Sequence, residues 1–330
     1  MQQRLARWWA AWVDFWDEVE HPRSLALVRI GLALCLVYDL AHIWQLDLVL
    51  PLYGVADEVG LSDALMREDT PLFYRWMPGT AGSARLLHAA MLLPAISLLL
   101  GFFTRTSALV LLVAWAQFAS IMPYADRGID TLCRLIITLL IFAPSGAWLS
   151  VDAMIRTGSP WGDGAPVGAW ARRLLIGQLV LMYFSAGILK NGLTWWPFGH
   201  FTALYFALQD PAVAAYDFSF VRDQPFFLFT QLGTMTTMLY QLTYPLVLVL
   251  MWWHRNPGRG GRIAALATRY RLELLWIGVG FVFHVILGIV MNLGIFPWAM
   301  LSLYPAFVHP DAWPRLVARL RGASPGPGGA

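Results

Sequence analysis

The chain alternates long apolar runs with shorter polar or turn-rich stretches. Eight runs have the composition of membrane-crossing helices: 24–43, 85–103, 107–122, 130–148, 173–189, 226–253, 272–293 and 296–308. The last is short against the roughly 20 residues that a span needs, and reads as partly re-entrant. Ahead of them, Trp8, Trp12, Phe15 and Trp16 recur at helical spacing opposite Arg7, Asp14 and Asp17. That pattern predicts a helix lying in the membrane interface or packed on the bundle. The expected architecture is all-α, a polytopic transmembrane helical bundle of about eight membrane helices with an N-terminal interfacial helix. Its divisions are the interfacial helix at 1–21, a transmembrane domain at 22–309 and a cytoplasmic, partly disordered tail at 310–330. Three connections are long: 45–84 is acidic and rich in Pro and Gly, 151–172 reads as turns, and 191–225 is crowded with aromatics.

Composition agrees with a lipid environment. Hydrophobic residues make up 58% of the chain and charged residues 13%, with a mean hydropathy of +0.58; a soluble domain carries about 25% charged residues. The 17 Trp residues suit a membrane interface, because an indole is apolar but its N–H needs a wet partner. Residues 1–20 lack the pattern of a cleavable signal peptide. Cys35 and Cys133 lie inside apolar runs as small packing residues. Nothing in the +3 net charge or its distribution suggests a nucleic-acid partner. Arginines fall in alternate connections: Arg4, Arg7 and Arg23; Arg105; Arg156, Arg172 and Arg173; the five from Arg255 to Arg271; then Arg315, Arg319 and Arg321. The positive-inside rule then predicts an integral protein of a bacterial-type inner membrane with both termini cytoplasmic.

Of 23 basic residues, Lys190 is the one lysine. Arginine stays charged, whereas a desolvated lysine can lose its proton and act as a base. At the end of the run 178–190, Lys190 is either such a base or a cation that reaches back to the headgroups. Other polar residues within the runs are Arg29 and Asp39, Asp130 and Arg134, and His284 with Asn292. Asp130 and Arg134 stand one helical turn apart, the spacing of a structural ion pair, and a lone histidine on an apolar helix is commonly a hydrogen-bonded core residue. No cluster has metal-ligand spacing, so no metal is predicted. A glycine-rich phosphate loop and a serine nucleophile elbow are both lacking.

Several blocks in order along the chain resemble the membrane domain of vitamin K-dependent gamma-carboxylase, shared with the bacterial HTTM (horizontally transferred transmembrane) proteins. They are Pro22-Arg-Ser-Leu-Ala-Leu-Val-Arg29, Leu100-Gly-Phe-Phe-Thr-Arg105, and Ser150-Val-Asp152 closing the fourth helix. The most specific is Gly177-Gln178-Leu-Val-Leu-Met-Tyr183-Phe-Ser-Ala-Gly187-Ile-Leu-Lys190, followed by Trp195, Trp196 and Gly199. A later set comprises Phe283-His284, Gly294, Phe296, Met300, Leu301, Pro305 and Phe307. The resemblance implies Lys190 as the base that activates vitamin K hydroquinone or another quinol, with Asp130 and His284 beside it in the catalytic set. It implies Arg134, Tyr183, Gln178, Trp195 and Trp196 around the substrate, while Arg29 and Asp39 hold the frame. A membrane lipid or quinone is the expected partner, with a protein or peptide substrate or a partner membrane protein as further partners. Two departures stand out. The animal carboxylase has a large lumenal substrate-docking region that these 330 residues lack, and no histidine occurs around Asp126-Arg-Gly-Ile-Asp130, where the carboxylase has a catalytic one. Quinol-coupled carboxylation or related lyase or oxygenase chemistry is therefore one expectation. A non-catalytic lipid or quinone carrier, or a scaffold for a membrane enzyme, is the alternative, and a transporter a weaker third.

Overall fold

The computed structural model describes residues 2–55, 60–256, 258 and 260–320. Its helices begin with α1 (Gln2–Asp17), α2 (Arg23–Gln45), α3 (Val49–Tyr53), α4 (Leu72–Trp76) and α5 (Ala81–Leu100). Next come α6 (Thr104–Ile121), α7 (Gly128–Phe142), α8 (Val151–Thr157), α9 (Trp170–Ile188), α10 (Ala203–Gln209) and α11 (Phe226–Thr243). The last are α12 (Leu246–Arg255), α13 (Gly261–Arg269), α14 (Leu272–Val290), α15 (Phe296–Ser302) and α16 (Ala312–Leu320). A two-residue antiparallel ladder joins β1 (Val19–Glu20) to β2 (Val167–Gly168). The chain divides into two compact units, Met1–Leu175 with Ser302–Ala330, and Ile176–Leu301.

In the first unit α2 packs on α5, α5 on α6 and α6 on α7. The buried positions on α5 are Ala84, Leu87, Met91, Ala95 and Leu98, a stripe at helical spacing. The opposite face is not polar: Leu86, Leu93, Ile96 and Leu100 stand exposed. A helix apolar on both its packed and its open face belongs in hydrocarbon, where its backbone groups are satisfied internally. Among the described residues, four helices (α2, α5, α6 and α14) are long and apolar enough to cross a membrane, or five spans if α11 and α12, bent by 54°, count as one.

The expectation of about eight spans is not confirmed. The run at 130–148 is helical only to Phe142, because Pro144 disfavours helix at Ala143. The run at 173–189 forms α9 but starts on two arginines. The run at 296–308 gives seven-residue α15 and then a single 3-10 turn, Tyr304–Phe307. Pro305, which lacks an N–H to continue the ladder, sits in that turn. The block Ser150-Val-Asp152 likewise does not close the fourth helix; Ser150 caps the start of α8, accepting from the Ala153 N–H at 2.9 Å. In the predicted tail, 312–320 is the helix α16, and 321–330 lies outside the described residues.

Three of the sequence blocks meet in one node of this unit. The Arg29 guanidinium, fully buried, donates to Leu98 O at 3.3 Å and to Leu149 O at 2.6 Å. Gly101 turns the chain over it in a left-handed conformation (φ 69°). Asp152 accepts from the Phe103 and Thr104 N–H groups, both at 2.8 Å, and so caps the start of α6. The Asp152 N–H donates in turn to Gly101 O at 2.9 Å.

The ladder of β1 and β2 brings acids to the arginines of α9. Arg172 forks onto Glu20 with two bonds of 2.7 Å and donates to Ala306 O at 3.0 Å, all buried. Arg173 pairs with Glu18 and lies 4.1 Å from the centre of the Phe15 ring. Glu20→Ala should cost about 3–5 kcal/mol, because it strands a buried guanidinium. A Glu20→Met/Arg172→Met double variant should recover part of that loss, measured as thermal unfolding in detergent.

Candidate functional site

The candidate site lies in the second unit. Tyr183 and Lys190 are seven residues apart, the spacing that returns to one side of a helix. Lys190 falls just past the end of α9, half-buried, and its Nζ donates to Ala186 O at 2.9 Å and to Gln241 Oε1 at 2.7 Å. Gly187 permits the second bond. A Cβ there would lie 3.1 Å from Gln241 Cβ and 3.2 Å from the Leu242 nitrogen, so a larger residue would push α11 away. Pro245 follows the Tyr244 cap, and α11 ends at Thr243, two residues beyond Gln241.

The third direction around Nζ faces an aromatic ring, with the centre of Trp195 5.0 Å away. The Trp196 indole N–H holds the loop by donating to Lys190 O at 2.9 Å. The two side-chain and backbone oxygens that Nζ contacts are neutral, which stabilises an ammonium far less than a carboxylate would. Burial pushes the Lys190 amine below its ordinary value. A neutral amine has two N–H groups and one lone pair. The two oxygens satisfy the N–H groups, leaving the lone pair for an incoming proton.

Deeper in the unit, the buried Tyr183 hydroxyl and His284 Nε2 share a 2.6 Å hydrogen bond. Tyr183 stacks on Tyr244 with ring centres 4.2 Å apart, and Tyr240 meets it edge-on at 5.5 Å. His284 belongs to a buried stripe on α14, Glu273, Gly280 and His284, while Leu274, Val282 and Ile286 are exposed. Gln178 is half-buried on α9, and its five-residue offset from Tyr183 turns it about 140° round the helix. The structure therefore joins Lys190, Trp195 and Trp196 in one cluster and Tyr183 with His284 in a second. Gln241 and Tyr240 are neighbours on α11 and contact one cluster each.

Sequence reasoning missed Gln241, Tyr240 and Tyr244. The signal was Tyr240-Gln241 and Tyr244-Pro245 inside the apolar run at 226–253, read there as one continuous span.

Asp130, Arg134, Arg29 and Asp39 belong to the first unit. Asp130 does not pair with Arg134, contrary to the spacing argument. Both its oxygens accept from the Arg127 guanidinium at 2.9 Å, and Oδ2 also takes the Arg127 N–H at 2.8 Å, tying down the start of α7. Arg134 instead forks onto Asp126 at 2.6 and 2.8 Å. Asp39 joins the first pair, 3.1 Å from Arg127 Nη2. Among the described residues no group of three or more His, Cys, Asp or Glu could hold a metal ion.

One substitution tests the electrostatics of Lys190 directly. Gln241→Glu places a carboxylate on the amine and should raise its pKa, since an opposite charge favours the ammonium. The lysine is neutral only above that pKa. The variant should therefore shift the titration of the Lys190 amine to higher pH, measured by NMR of the labelled lysine.

No solved structure matches the chain. The family model described as the HTTM domain matches residues 18–255, which includes both the Arg29–Gly101–Asp152 node and the Lys190–Gln241 pair. With that match and the apolar helices of both units, the chain is a membrane protein belonging to the HTTM-domain family.

Proposed function

We propose that the protein is a membrane enzyme of carboxylase-like chemistry, in which the Lys190 amine takes a proton from the hydroxyl of a quinol or a similar lipid-soluble phenol. The observation that carries this reading is an amine held by two neutral oxygens, with an aromatic face as its third neighbour. Those residues fit the group. The lone pair of Nζ accepts the hydroxyl proton, the N–H groups remain on Ala186 O and Gln241 Oε1, and Trp195 offers a flat surface for a ring. Once deprotonated, a quinol supplies an oxygen anion that reacts with dioxygen. The ammonium then returns its proton to solvent. Lipid-exposed apolar faces suit a substrate that arrives sideways through the bilayer. On this reading the protein sits in a bacterial-type inner membrane with both termini cytoplasmic.

A second reading, a non-catalytic lipid or quinone binder, has one observation in its favour: both Asp130 oxygens are taken by Arg127, so that carboxylate is no free acid or base. The test separates the two. Purified protein is mixed anaerobically with a short-tailed naphthohydroquinone, and its ionisation is followed by absorbance across pH. The enzyme reading expects the bound hydroxyl to ionise at lower pH than in water, and Lys190→Gln to bind the probe without that shift. Equal ionisation in the wild type and Lys190→Gln would contradict it and leave the binder.

A further inference from the structure

In the first unit, the chain that leads into α16 is pinned at the start of α2. The Ser24 Oγ donates to Val308 O at 2.7 Å, and the Trp313 indole N–H donates to that same Oγ at 2.9 Å. Ser24 is the second residue of α2, a 23-residue helix apolar enough to cross a membrane. At 1.5 Å per residue α2 is roughly 34 Å long, against about 30 Å of hydrocarbon, so its first residues emerge at the bilayer boundary. The bond to Ser24 therefore sets α16 at headgroup level. The chain leaving α1 comes to the same place: Glu20 holds Arg172, and Arg172 donates to Ala306 O, two residues before Val308.

α16 has two unlike faces. At about 100° per residue, Trp313, Leu316 and Val317 share an arc of roughly 100°, and Arg315 stands on the other side of the helix. Trp313 is half-buried against Ser24, while Leu316 and Val317, one to either side of it, remain exposed. Two aliphatic side chains open at the level of the headgroups suit a helix lying in the interface plane. Arg315 is exposed and makes no ion pair or hydrogen bond among the described residues. Asp311, one turn earlier, lies 3.5 Å from His309 instead. Residues 311–321 carry three arginines against that one acid. Asp311, with the exposed Asp14 and Asp17 of α1, opposes the positive field.

We infer that α16 is an interfacial helix resting on the anionic leaflet of the protein's own membrane. Leu316 and Val317 enter the acyl boundary, Trp313 holds the helix to the start of α2, and Arg315 meets lipid phosphate. The bilayer is the occupant of this ridge because α2 already brings its boundary to Ser24. A neutral leaflet would leave Arg315 without a counter-charge. The order of the C-terminal segment then depends on lipid charge. This surface stands apart from the Lys190 chemistry and does not depend on it.

The test is spin labelling of the full chain in nanodiscs holding one copy each. Both native cysteines, Cys35 and Cys133, are replaced by Ala, and a single nitroxide is attached at Val317→Cys or, on the other face, at Arg315→Cys. In discs of phosphatidylcholine with one-third phosphatidylglycerol, the label at 317 should collide with oxygen more often than with a water-soluble nickel chelate, and the label at 315 the reverse. The ratio of ordered to mobile signal at 317 should fall several-fold in discs of phosphatidylcholine alone. Arg315→Gln should lower it about fivefold in the mixed discs, the effect of one arginine near an anionic surface. Nickel access at 317 equal to that at 315 would put the helix in water and overturn the inference. An ordered fraction indifferent to lipid charge in the Arg315-containing protein would remove the anionic leaflet and also overturn it. Ordering that appears only in discs loaded with two copies would make the ridge a contact between chains, with the same consequence.

Discussion

Lys190→Arg is expected to lower proton abstraction from a bound quinol at least about 100-fold, the size of effect a positioned general base contributes. Arginine keeps the positive charge, so any purely electrostatic or anchoring role would survive the change. It cannot give up its proton near neutral pH, so a role as base would not. The flat guanidinium is also a poor geometric match for an Nζ held between Ala186 O and Gln241 Oε1. Turnover or quinol ionisation should therefore collapse in Lys190→Arg while the protein remains folded and the probe still binds. A variant that retains full activity would remove Lys190 from the chemistry.

The second large effect concerns the frame. Gly101→Ala should destabilise the protein by about 4 kcal/mol or more, from two sources that add. A left-handed φ of 69° costs a non-glycine residue roughly 1–2 kcal/mol. The new Cβ would also stand 1.8 Å from Arg29 Nη1 and 2.4 Å from Ser150 Cβ. The guanidinium would have to leave the carbonyls of Leu98 and Leu149, and each such charged hydrogen bond contributes about 1.5–3 kcal/mol. Reduced abundance in the membrane and a lower thermal midpoint in detergent would be the readouts. An unchanged midpoint would mean that the node does not hold the fold.

Much of this molecule was legible from its apolar runs, and the failures share a cause. Hydrophobicity identifies which segments avoid water, but it does not reveal where a helix stops. Pro144, Pro245 and Pro305 each interrupt a run that reads as continuous, and each changes the span count or the position of a polar side chain. Spacing within one helix was a poor guide to charge pairing. Asp130 turned back to Arg127 at the helix start, and Arg134 found Asp126 from the preceding turn. The Glu20–Arg172 fork joins residues 152 apart and leaves no local signal at all. At the candidate site, Lys190 stood out because it is unique, and Trp195 and Trp196 followed from the block around it. Gln241 did not, since an amide inside an apolar run announces nothing until the helix that carries it is placed.

The uniqueness of Lys190 also provides the most direct measurement. Protein grown with lysine labelled at Cε has one side-chain signal from 330 residues, and its chemical shift can be titrated by NMR in detergent or nanodiscs. A midpoint below the ordinary lysine value of about 10.4, rising in Gln241→Glu, is the predicted result. A midpoint at that ordinary value, indifferent to Gln241, would contradict a base at this position.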